Sequence, residues 1–94
     1  MKSQRFASVW DALEDTPEKA ANMKARSALL MAIQETVEKW DATQAQAAKR
    51  LQISQPRLND LLRGKIGKFS LDALVELASH AGLKVSMKIT KQAA

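Results

Sequence analysis

The sequence predicts an all-helical domain of about five helices followed by one β-strand, on three observations. Apolar residues recur at helical spacing from Phe6 to Ala78. The three glycines and two prolines are few and fall where helices should begin or end. Over the last residues the apolar period changes from helical to two, with Leu83, Val85, Met87 and Ile89 alternating with Lys84, Ser86, Lys88 and Thr90.

The first helix is expected over 6–15, short, with Phe6, Val9, Trp10 and Leu13 on one side. Thr16-Pro17-Glu18 then supplies a cap, a proline at the first helical position and an acid in the first turn, so a long helix is expected from Pro17 to about Trp40. Its buried stripe is Met23, Leu30, Ile33, Val37 and Trp40 with Leu29 alongside, leaving Lys24, Arg26, Glu35, Glu38 and Lys39 to solvent. These two helices make an N-terminal part over 6–42. Thr43 caps the next helix, whose Ala45, Ala47 and Ala48 allow another helix close by, and which should end near Leu51. Ser54 caps a further helix primed by Pro56, running to Arg63 and stopping at Gly64. A last helix spans 70–81, with Ser70 as cap, Leu71, Leu74, Val75, Leu77 and Ala78 inward, and Gly82 beyond its end. The strand occupies 83–90. A single strand leaves its backbone unpaired and no other segment alternates, so Leu83, Val85, Met87 and Ile89 are expected to form a strand pairing across a homodimer, or with another protein's sheet.

At 94 residues and 46% hydrophobic, the chain can bury one modest core, which predicts a single domain over 1–94. It has no cysteine, which excludes disulfides and cysteine-based zinc sites and fits a cytoplasmic location. The basic start is followed by too short an apolar run for a signal peptide, and no run is long enough to span a bilayer, so no membrane is expected. The net charge of +5 is unevenly placed. Residues 1–42 hold six Lys/Arg against seven Asp/Glu, whereas residues 43–94 hold nine against three, a regional charge of +6 suited to a polyanion.

Residues 43–63 carry the candidate function. Gln44, Ala47-Ala48, Leu51, Ile53, Leu58 and Leu61-Leu62 sit at the offsets of a helix-turn-helix: alanine at the helix crossing, Leu51 and Ile53 about the turn, leucines seating the second helix. Asn59, Asp60 and Arg63 then point outward with Gln55 and Arg57 on the flanks, as on a helix that enters the major groove. Gln55, Arg57 and Asn59 are the candidate base-reading residues, Arg57 towards guanine and the two amides towards adenine. Gln44, Ser54, Arg63, Lys65 and Lys68 are placed for phosphates. Asp60 is expected to pair with Arg57 or Arg63, since an unpaired carboxylate is repelled by the groove.

At this point the sequence resembles the single-domain regulators of the Cro and lambda-repressor (XRE) type, and among them the HigA-like antitoxins. The resemblance runs through 6–13, 43–48, 54–57, 60–65 and 69–74. It implies a lambda-repressor-like fold and a homodimer on an inverted-repeat operator of double-stranded DNA, repressing its own operon. It further implies an antitoxin that neutralises a toxin protein, an mRNA-cleaving enzyme acting at the ribosome. One departure is Gln52, at the turn position where the family usually has glycine, which requires a left-handed non-glycine residue.

Nothing in the chain assembles a catalytic, cofactor or metal site. His80, the sole histidine, suits the negative end of its helix; Ser27, Ser54 and Ser70 have no histidine base nearby; the acids at 14–15 and at 35 and 38 read as solvated faces. Trp10 and Trp40 fall on apolar stripes. Rival readings are a ligand-free helical hairpin, a sequence-blind nucleoid protein, a free-standing or phage-type repressor, and a protein-interaction module that inhibits a partner enzyme.

Overall fold

The computed structural model describes residues 16–91. The helix expected over 6–15 lies outside the described residues. Four α-helices follow in order: α1 (Pro17–Lys39), α2 (Gln44–Leu51), α3 (Gln55–Leu62) and α4 (Leu71–His80), with a 3-10 turn (Ile66–Lys68) between α3 and α4. Their starts follow the sequence rules closely. Thr16, Thr43, Ser54 and Ser70 each accept a hydrogen bond from the backbone N–H three residues on, at 3.1–3.2 Å. At Thr43 the bond is reciprocated, because the Gln46 side chain accepts from the Thr43 N–H at 2.9 Å and completes a capping box.

The core lies where α1 and α4 pack along each other, with α2 and α3 closing one end. Leu30, Ile33 and Val37 of α1 meet Leu51, Leu58, Leu61, Phe69 and Leu74, and the last five are essentially removed from water. Burying a side chain of that size contributes about 1.5–3 kcal/mol each, which makes this cluster the main support of the fold.

Several residues lie otherwise than the periodicity predicts. Trp40 leaves α1 and turns extended, with ψ 134°, and packs half-buried on the core beneath Arg50. Arg26 is not a solvent residue: its guanidinium donates to the carbonyls of Phe69 at 3.2 Å and Ile66 at 3.4 Å, while Nε reaches Asn22. The Phe69 carbonyl receives no backbone bond, and the Ile66 carbonyl already accepts from the Phe69 N–H at 3.1 Å, so the guanidinium bridges the two ends of the 3-10 turn, partners of which periodicity carries no sign. Val75 and Leu71 are not sealed in the core; Val75 is 39% exposed and both line a groove between α1 and α4. The strand expected over 83–90 is not formed: residues 83–91 are neither helix nor strand, and among the described residues there is no strand for them to pair with.

Candidate nucleic-acid interface

α2 and α3 are joined through Gln52, Ile53 and Ser54 by a turn with defined bonds. The Gln52 N–H donates to the Lys49 carbonyl at 3.1 Å and the Ile53 N–H to the Ala48 carbonyl at 3.0 Å, the pairing of a Schellman motif. Gln52 takes the left-handed conformation that motif needs, with φ 63° and ψ 40°, as the sequence required of a non-glycine residue there. Ile53 packs against the core and Ala47 and Ala48 are buried at the crossing, so the alanines let the two helices approach.

α3 is anchored from behind by Leu58 and Leu61, both at 0% exposure, with Leu62 half-buried beside them. Gln34 of α1 adds a polar tie, donating to the Leu61 carbonyl at 2.8 Å. The opposite side is open: Gln55, Pro56, Asn59 and Arg63 are exposed, as are Gln44 and Ser54 at the two helix starts. Pro56 in the first turn removes an N–H that the helix leaves unpaired anyway.

The two charged residues of α3 are occupied in ways periodicity does not show. Arg57 is half-buried, with its guanidinium 4.4 Å above the Phe69 ring and donating to the Lys68 carbonyl at 3.3 Å. Phe69 is itself buried, so Arg57 ties the exposed side of α3 to the loop that follows it. The expectation that Asp60 pairs with Arg57 or Arg63 is corrected. Its two oxygens instead face Lys65 and Lys68, each at 3.7 Å. The cause is the chain reversal at the end of α3: the Lys65 N–H donates to the Asp60 carbonyl at 3.0 Å, and the 3-10 turn that follows, with the Lys68 N–H donating to the Lys65 carbonyl at 3.0 Å, keeps Lys68 beside Lys65. Gly64, with φ +73°, makes this reversal possible where an L side chain would be strained.

Arg63, Lys65 and Lys68 are exposed, as is Asn59, and the structure brings Lys65 and Lys68 together at Asp60. Sequence reasoning missed the 3-10 turn, for which Gly64 and Gly67 were the available signal.

The geometry is that of two short helices in a tight turn with the second helix's polar side outward. A family model for a helix-turn-helix domain matches residues 12–90, more than half of the 94-residue chain. The chain belongs to this helix-turn-helix family. That membership supports a DNA-binding regulator, with DNA as its partner. A comparison with curated proteins found no match. Among the described residues, no helix is long and apolar enough to cross a membrane and no acid or histidine cluster could hold a metal ion.

Proposed function

We propose that this helix-turn-helix protein is a cytoplasmic, single-domain, sequence-specific repressor that binds an inverted-repeat operator as a homodimer. The observation that carries the reading is the two-sidedness of α3: Leu58 and Leu61 fully buried, Gln55 and Asn59 exposed, with Arg63 exposed just past its end. A helix held that firmly can present base-reading side chains with little loss of freedom on binding.

Gln55 and Asn59 contact base edges, each good bidentate pair worth about 1–3 kcal/mol of discrimination, and Arg57 reads a guanine by leaving its place over Phe69. Gln44, Ser54, Arg63, Lys65 and Lys68 hold phosphates and set register. The C-terminal alternation of Leu83, Val85, Met87 and Ile89 supplies the dimer strand, giving a lambda-repressor-like helical domain with one shared ribbon, and the two copies of α3 stand about 34 Å apart, one turn of DNA. The resemblance to HigA-like antitoxins extends the proposal to autoregulation of a toxin–antitoxin operon and neutralisation of a toxin protein.

The test is selection of binding sites from a random duplex pool, followed by gel shift at physiological salt. Recovery of an inverted repeat, with Asn59→Ala losing preference at one base pair per half-site, supports the reading. Binding without any preferred sequence at that salt overturns it in favour of a sequence-blind nucleoid protein.

A further inference from the structure

The segment after α4 is without backbone partners among the described residues. None of the backbone N–H and C=O groups of 84–91 is hydrogen-bonded among the described residues; the last bond is from the Leu83 N–H to the Ala78 carbonyl at 2.9 Å. Its apolar side chains become progressively more open, Val85 at 41% exposure, Met87 at 77% and Ile89 at 83%. Beside it runs a groove of about 530 Å³ floored by Ala28, Leu29 and Ala32 of α1 with Leu71 and Val75 of α4, and walled by the segment itself over 84–88, lysines included. An open backbone edge, an apolar side of period two and an apolar floor therefore lie together on one surface.

We propose that this surface is closed by the same segment of a second copy, in an antiparallel ribbon whose two-fold axis passes through Met87, lying over the α1–α4 grooves of both copies. The proposal deepens the homodimer reading given above by naming the register and the floor. A second copy fits because the segment is complementary to itself: pairing about a two-fold axis satisfies both open edges at once, and both apolar sides then face the same way. A two-stranded ribbon is marginal in water by itself, and the α1–α4 groove supplies the apolar face that it needs.

Charge chooses the register. Directly opposed residues must share a side, so the axis passes through a residue. With the axis at Ser86, Lys84 would face Lys88 twice, and like charges directly opposite are unfavourable. With the axis at Met87, Lys84 faces Thr90, Ser86 faces Lys88, Val85 faces Ile89 and Met87 faces its own counterpart. An axis at Val85 also separates the lysines, but it leaves Ile89 opposite Ala81, a residue buried beyond the end of α4.

The chain has no cysteine, so a single introduced one reports on itself. At the axis the two Cα atoms stand about 4.5–5.5 Å apart, within the reach of a disulfide, whereas Ser86 is diagonal to its counterpart at about 7–8 Å. Mild oxidation of the full chain at micromolar concentration, read on a non-reducing gel, should convert most of Met87→Cys to covalent dimer. Ser86→Cys and Val85→Cys should give at least fivefold less. Strongest cross-linking at Ser86 or Val85, or none at any of the three, overturns the proposal.

Sedimentation adds an independent readout. Met87→Lys and Val75→Lys should each shift dimer to monomer with unchanged helical circular dichroism. A dimer that persists in both, or a wild-type protein that is monomeric and binds this surface only to a different protein, also overturns it. Gel shift at low salt is a separate measurement, so a wrong ribbon and a wrong DNA-binding assignment give distinguishable failures.

Discussion

His80 Nδ1 lies 2.9 Å from the carbonyl oxygen of Leu51, joining the last turn of α4 to the end of α2. A carbonyl oxygen only accepts, so Nδ1 carries the proton in this arrangement. Leu51 O is one of the terminal carbonyls that α2 cannot satisfy itself, and the bond is partly buried. Sequence position alone assigns His80 to the helix dipole, and that explanation and this bond make different predictions. His80→Lys places a cation at the end of α4 but cannot keep the same bond. It should lose about 1–2 kcal/mol of stability in urea unfolding, as should His80→Ala. Retention of wild-type stability by the lysine variant would return the residue to a dipole role.

The turn between α2 and α3 makes a prediction of opposite sign. Gln52 at φ 63° occupies a conformation that costs a non-glycine residue roughly 1–2 kcal/mol, while glycine there loses about 0.5–1 kcal/mol of chain entropy. Gln52→Gly should thus stabilise by about 0.5–1 kcal/mol, measured by the urea midpoint at constant slope. The neighbouring bonds to Lys49 and Ala48 use only backbone and should survive.

Ser27 offers a second stabilising change. Its Oγ is buried and has no hydrogen-bond partner among the described residues. Ser27→Ala removes that unsatisfied hydroxyl and substitutes the best helix former within α1, so thermal unfolding should move upwards by an amount equivalent to about 1 kcal/mol. A loss of stability would mean that the hydroxyl has a water or a partner that the described residues do not supply.

Much of this fold was legible because its signals are local. Thr16, Thr43, Ser54 and Ser70 are caps read directly from residue type and position, and Leu58, Leu61 and Leu74 follow from a period of 3.6. Side chains whose partners are backbone atoms far along the chain were not legible. Arg26 looks like a solvent residue until the carbonyls of Ile66 and Phe69 arrive forty or so residues later, at 3.4 and 3.2 Å. The helical wheel pairs Asp60 with its nearest arginines, whereas the partners are Lys65, just before a 3-10 turn, and Lys68, at its end, and the sequence of that turn, Ile66-Gly67-Lys68, has no strong period. The candidate base-reading set divides in the same way: Gln55 and Asn59 are exposed as their wheel positions imply, and Arg57 is drawn aside by an aromatic ring outside its own helix.

That displacement gives Arg57 two separable contributions. Arg57→Ala should cost about 1 kcal/mol of stability, because it loses both the stacking on Phe69 and the bond to Lys68. Arg57→Lys retains the charge for DNA but not the planar stack, so its unfolding midpoint should fall nearly as far as that of the alanine variant. In the gel shift the lysine variant should keep non-specific affinity and lose preference at one base pair. Equal stability of Arg57→Lys and wild type would show that the stacked arrangement contributes nothing.

In the proposed complex with DNA, Asp60 competes with phosphate for the loop's charge. Its carboxylate is only partly exposed, at 22%, and holds Lys65 and Lys68, which are 45% and 58% exposed. Exposed ion pairs of this kind are weak, so a polyanion can compete for the lysines, but it must break both contacts while approaching a negative charge. Asp60→Asn removes the pairing and the repulsion together. Affinity for random duplex DNA at low salt should rise about threefold to tenfold, and the slope of log affinity against log salt should steepen by about one to two, the value for one or two added phosphate contacts. Affinity for a selected operator should rise less, since in the proposed complex the lysines reach phosphate there, so the ratio of specific to non-specific binding should fall. An unchanged salt slope would show that Lys65 and Lys68 do not contact the backbone, and Arg63 would then be left to carry the loop's share of the affinity.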